Sequence, residues 1–164
     1  MKLQVFSLGM FGIIALVGAS SRAATPTWIE RQDKSLRFSI ACPHDVIISS
    51  KTGRTSSYVR MQRGALQEGQ LKSGEFLVEI FVTPRSSWGL KKGNPECSDE
   101  PKARPVTLGG VRGYRFGGAE SSEGEGIVDS LCVQKGDRMY KVNAMRPMAE
   151  KEYTERMIDS FRVR

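Results

Sequence analysis

The chain has 164 residues, 39% of them hydrophobic and 26% charged, with 17 glycines and 7 prolines. That composition suits one globular domain long enough to bury a core, and it excludes collagen-like, low-complexity and disordered classes. The formal net charge is +7, and with a single histidine and no close cysteine pair no zinc site is expected.

The first segment reads as a secretory signal peptide over residues 1–23. Met1-Lys2 is a basic start, residues 5–19 are apolar, and Ser21 and Ala23 stand at −3 and −1 of a small-residue exit. Cleavage after Ala19 is a second option. The apolar run is shorter than the roughly 20 residues a bilayer span needs, so no transmembrane span is expected in the mature protein. Residues 24–164 then form a single domain, expected to be periplasmic or secreted.

Residues 28–34 read as a polar lead-in. From 35 to 42 the chain alternates, with Leu36, Phe38, Ile40 and Cys42 on one side, which predicts a half-buried strand ended by Pro43. Val46-Ile47-Ile48 is a short second strand, closed by turn-forming residues 49–53. Residues 57–62 form a third, rimmed by Arg54, Arg60 and Arg63. Residues 64–74 are loop-like. Residues 75–83 are the most hydrophobic strand, and with Leu77 and Phe81 opposing Phe76, Val78, Ile80 and Val82, it is expected to be central and covered on both sides. Residues 84–105 are irregular, punctuated by proline and anchored by Trp88.

Residues 105–117 read as a hairpin about Gly109-Gly110, and residues 118–126 as an acidic, glycine-rich loop. Residues 126–147 form a long hairpin with Gly136-Asp137 at its tip. That turn sets Lys135 opposite Arg138, Val133 opposite Tyr140 and Leu131 opposite Val142. Leu131, Val133, Tyr140 and Val142 then share one face, so turn and apolar pattern agree on the register. In residues 148–160 the helical spacing of Tyr153, Met157 and Ile158, continued by Phe161, marks an apolar face. The whole is α+β: one antiparallel sheet carrying at least one packed helix.

Several groups invite chemistry. Cys42 and His44 flank Pro43, so a Cys–His nucleophile pair is conceivable, making a small hydrolase the remote reading; no orienting third group is in view. Glu120, Glu123 and Glu125 lack the alternating spacing of a calcium loop, and no metal site is expected. The glycines from 109 to 118 stand between strands rather than before a helix, so they serve turns rather than phosphate. No cofactor is expected. Arg104 and Arg115 fall opposite each other on one face of the second hairpin, where like charges cost stability unless an anion lies between them. With Arg60 and Trp88 they are the candidate binding residues.

Three cysteines in an exported chain allow one disulfide. Cys97–Cys132 is the expected pair, pinning the irregular segment to a strand and leaving Cys42 as a buried thiol; Cys42–Cys97 and Cys42–Cys132 stay open.

Phe38-Ser39-Ile40 before Pro43, the Gly109-Gly110 hairpin, Gly136-Asp137 before Tyr140, and Ile158-Asp159-Ser160-Phe161-Arg162-Val163 occur in that order. In this the chain resembles the PsbP-like fold family, which includes the bacterial DcrB-like envelope proteins. The resemblance implies an α/β/α sandwich, an antiparallel sheet flanked by helices, and a mostly non-catalytic role in assembly or binding. It carries over no binding residue. The expected function is therefore a non-enzymatic exported envelope protein that binds or stabilises a partner protein. The alternative is a binder of anionic envelope components, phospholipid headgroups or cell-wall polymers, through the arginine surface. Nucleic acid is a poor partner for an exported chain.

Overall fold

The structure is a computed structural model that describes residues 26–64, 71–84, 97, 102–120 and 127–164. The expected signal segment and Trp88 lie outside these residues, as do Glu123 and Glu125.

The long hairpin forms as the turn dictates: β8 (Ile127–Lys135) and β9 (Arg138–Arg146) pair with Lys135 opposite Arg138 and Val133 opposite Tyr140. Gly136 sits at φ +61°, the left-handed conformation that a primed turn asks of its first residue. β6 (Arg104–Leu108) and β7 (Val111–Glu120) close about Gly109 and Gly110, both at positive φ, with Leu108 opposite Val111 and Arg104 opposite Arg115. β7 runs to Glu120, past the expected start of the acidic loop, with a bulge between Gly117 and Ala119.

With β3 (Ile47–Thr52), β4 (Ser57–Arg63) and β5 (Phe76–Pro84) these strands make a seven-stranded antiparallel sheet in the order β3-β4-β5-β9-β8-β7-β6. β5 is interior, as its apolar run predicts; Phe76, Leu77, Val78, Ile80 and Val82 are buried. β3 is longer than expected and exposed throughout, its residues 49–52 pairing with β4 instead of turning. Its position at the sheet edge leaves it no neighbour on one side.

A larger correction concerns the sheet count. The expected polar lead-in is a strand, β1 (Trp28–Asp33), paired with β2 (Phe38–Pro43). β2 also pairs with β10 (Arg162–Val163), so a second, three-stranded sheet β1-β2-β10 stands apart from the first. β1 hides from a pattern reading because its residues are half-buried or exposed, so no apolar alternation marks it. A turn at Met148–Glu150 leads into α1 (Lys151–Ser160), whose Thr154, Met157 and Ile158 are buried. α1 lies on the face of the large sheet that carries Tyr140, Val142 and Ala144, and the described residues hold the helical layer on that face only. The class is α+β.

The core joins both sheets and the helix through Phe38, Ile40, Phe76, Ile80, Leu131, Tyr140, Met157 and Phe161. Ser160 Oγ accepts the Ala41 N–H at 2.8 Å, fixing the helix end to β2. Trp28, Tyr153 and Phe76 stack in sequence, with Arg156 over the Trp28 ring at 4.0 Å and Arg63 over the Tyr153 ring at 5.3 Å.

Cys97 and Cys132 form a disulfide with Cα atoms 5.5 Å apart. They pack with Met139, Tyr114 and Phe116 on the face of the large sheet away from α1. The bond closes a separation of 35 residues. In a Cys97→Ser/Cys132→Ser protein, urea unfolding should show about 2–4 kcal/mol less stability; a loss below about 1 kcal/mol would mean that this tie stabilises little.

Candidate functional site: a cationic cleft

The hairpin registers decide what surrounds the end of α1. Residues directly opposite on antiparallel strands share a face. Arg104, Val106, Gly113, Arg115 and Gly117 therefore share the helix-bearing face with Asp129, Leu131, Val142, Ala144 and Arg146. Toward the middle this face is apolar core. Toward the far ends of β7, β8 and β9 it becomes charged, and α1 presents Lys151, Glu155 and Asp159, spaced by four residues, against it.

Asp129 and Arg146 form the floor. Asp129 is paired with Ala144, and Arg146 is two residues further along the same face, within diagonal reach. Arg146 Nε and Nη2 donate to Asp129 Oδ2 at 3.2 and 2.8 Å, and the arginine is 2% exposed. Gly117 makes the room: a Cβ there would collide with the Asp129 carboxylate. The third contact of that guanidinium is missing among the described residues, where Arg146 Nη1 is buried with no hydrogen-bond acceptor.

Arg115 is half-buried and carries the helix. Its Nη1 donates to Asp159 Oδ1 at 2.8 Å, and Nη2 lies 3.7 Å from Glu155 Oε1. Lys151 Nζ is 3.8 Å from the same Glu155. Among the described residues, Arg104 and Lys102 make no ion pair, and both are exposed. These groups line a cleft of about 480 Å³ in which Lys102, Arg104, Arg115, Arg146 and Lys151 outnumber Asp129 and Glu155. Val106 and the exposed Met148 add apolar surface. A depression of this kind can hold an anionic group in a partly desolvated setting, where charge-assisted hydrogen bonds are strongest.

Arg104 and Arg115 thus stand where their spacing places them, and Asp159 with Glu155, rather than a free anion alone, answers the repulsion between them. Arg60 does not join them. It lies on β4 opposite Glu79, with β5, β9 and β8 between it and β7, and its alternation turns it to the other face. Asp129, Arg146, Lys102 and Lys151 escape a reading built on arginine pairs. A signal exists for two of them: the hairpin register already sets Asp129 and Arg146 on the apolar face, where opposite charges ask for each other.

Cys42 and His44 are not a pair. Cys42 is fully buried and His44 exposed, so proline and pleat send them to different environments. Burial pushes the Cys42 thiol up, against a smaller lowering by Arg31, which is opposite to what activates a nucleophile. Burial likewise raises Tyr140, whose hydroxyl donates to the Leu36 carbonyl. For both groups the unfolded chain ionises first as pH rises, so their contribution is intact below about pH 8.5 for the thiol and about pH 10 for the phenol, and is lost above. The urea midpoint should fall from about pH 8.5 upward, and Cys42→Ala should flatten the first part of that fall; an identical slope in the variant would assign it to other groups. No group of three or more potential metal ligands occurs among the described residues. No helix among them is long and apolar enough to cross a membrane.

No protein-family model matches the chain, and no curated protein is similar to it. Among solved structures, the solution structure of cyanobacterial PsbP (CyanoP) from Synechocystis sp. PCC 6803 is similar at a TM-score of 0.55 and 8% identity, over 90% of this chain and 99% of that one. A crystal structure from Bacteroides thetaiotaomicron VPI-5482 gives a TM-score of 0.52 at 13% identity, over 82% of this chain and 48% of that one. The chain thus spans about half the length of the Bacteroides protein. The likeness to CyanoP shows a PsbP-like fold.

Proposed function

We propose that the protein is a non-enzymatic exported binding module, of the DcrB-like kind within the PsbP-like fold, that binds or stabilises a partner protein through an acidic patch seated in the cationic cleft. The observation that carries this reading is that, among the described residues, cations outnumber carboxylates in one cleft and Lys102 and Arg104 at its mouth make no ion pair. Binding groups set on loops and strand ends of a rigid sheet are a common arrangement for recognition. The Cys97–Cys132 disulfide suits an oxidising compartment, and the signal-like start suits the periplasm or the medium.

The test is a photo-reactive residue at position 148 in the native host, with one at position 47 on the distant β3 edge as control. One discrete protein adduct from position 148 is expected, weakening as salt rises and lost in Lys102→Glu/Arg104→Glu. This pair is chosen over reversal of Arg115, which would set a glutamate against Asp159 and Glu155 and disturb the helix face that lines the cleft. The alternative has its own readout, because the unpaired mouth cations would also suit anionic headgroups. Co-sedimentation with vesicles rich in anionic phospholipid, without a protein adduct, would replace the partner-protein reading by that one. Equal adducts from both positions would remove the cleft from either.

A further inference from the structure

Among the described residues, Arg146 is the buried guanidinium of the cleft that lacks a full set of acceptors. Two of its nitrogens grip Asp129, and Nη1 is buried without an acceptor. A buried donor left unmade is costly, and more so when charged. The cleft above it falls in the volume range of ligand sites. Its inner end is already close to neutral: Arg146 is matched by Asp129, Arg115 by Asp159 and Lys151 by Glu155.

We infer that the cleft is a carboxylate site, in which Arg146 Nη1 donates to an oxygen of a singly charged carboxylate carried by the partner polypeptide, beside an aliphatic group that meets Val106 and Met148. This rests on the reading that the partner docks in the cleft. A doubly charged phosphate would bring its second charge close to Asp129 and Glu155 at a neutral inner end, whereas a carboxylate brings one. Arg104 and Lys102, exposed at the mouth, attract any anion and so set affinity and salt dependence rather than class. Nη1 is closed to water in the free protein, so entry requires a side chain to turn aside. Met148, unbranched and 66% exposed, lines the same cleft and can move without disturbing the core.

The experiment is an NMR titration of the oxidised, isotopically labelled protein with four probes. These are an N-acetylated Gly-Gly-Ala-Leu peptide with a free C-terminal carboxylate, its C-terminal amide, an amidated peptide with one internal glutamate next to leucine, and inorganic phosphate. An acidic peptide should shift the Arg146 Nε–H signal together with the Gly117 and Asp129 amides, and the amide without an acid should bind at least about tenfold more weakly, the size of one charge-assisted hydrogen bond. Which acidic peptide binds tells a chain end from a side chain. Arg146→Lys keeps the charge and should lose that discrimination, while Lys102→Glu/Arg104→Glu should weaken every acid alike. If Arg146→Lys does not fold, the Arg146 signal of the native chain still decides. The inference is overturned by phosphate binding as well as the acids, by an amide binding as well as its acid, or by no probe moving Arg146. Loss of the inference with the position-148 adduct intact leaves the docking reading standing; loss of both removes the cleft.

Discussion

Replacing Asp129 with alanine should lower folding stability by about 3–5 kcal/mol, because it strands a charge in the core. The Arg146 side chain is 3% exposed and Asp129 is the acceptor for two of its nitrogens at 3.2 and 2.8 Å. Nη1 has no partner to begin with, so the variant would leave the whole guanidinium buried and unsatisfied. The companion variant makes the argument sharp. Asp129→Ala combined with Arg146→Met removes both charges, fills most of the volume and should recover most of the loss, since a buried ion pair contributes little over a well-packed apolar replacement. Urea unfolding of the two variants checks it. A double variant no better than the single one would mean that the pair's geometry, not its charge, holds the sheet end together.

Phe161→Ala should also cost about 3–5 kcal/mol, by cavity formation. Phe161 is fully buried, 5.5 Å from the Phe38 ring and 6.0 Å from the Tyr140 ring. It sits between α1 and β10, so one ring touches the small sheet, the large sheet and the helix exit. Removing it leaves a hole beside the Ser160–Ala41 hydrogen bond and the β2–β10 pairing, which hold the surrounding layers in place. Thermal unfolding is the measurement, and Phe161→Leu, which keeps most of the volume, should lose much less. Equal losses in the two would point to the aromatic contacts rather than volume.

Local sequence is enough wherever an element's partner is set by short-range geometry. A two-residue turn with glycine at positive φ leaves one register open, so the Gly136 and Gly109-Gly110 turns specify two hairpins residue by residue. The Arg104–Arg115 juxtaposition and the apolar face of the long hairpin follow from them. The 3.6-residue spacing of Tyr153, Met157 and Ile158 specifies which side of α1 is buried. Disulfide partnership is not decided in this way, because three cysteines leave three pairings, of which the structure holds the expected Cys97–Cys132.

The choices among distant partners belong to the assembled fold. Nothing local tells β2 to leave the large sheet for β1 and β10, since a strand's hydrogen-bonding edges are the same whichever neighbour takes them. The 119-residue reach from Ala41 to Ser160 is settled by packing of the Phe38–Phe161 core. Nor does sequence tell Arg115 that α1 will bring Asp159 and Glu155 to it, or Arg60 that it points to the opposite face from Arg104. Charges read as one basic surface in the sequence are thereby divided into a bridge to the helix, a distant residue on the other face and an unsatisfied guanidinium beneath a cleft. Sequence counts charges; the pleat and the helix docking decide which of them remain uncompensated, because Coulomb and hydrogen-bond terms depend on distance and burial that only the assembled layers define.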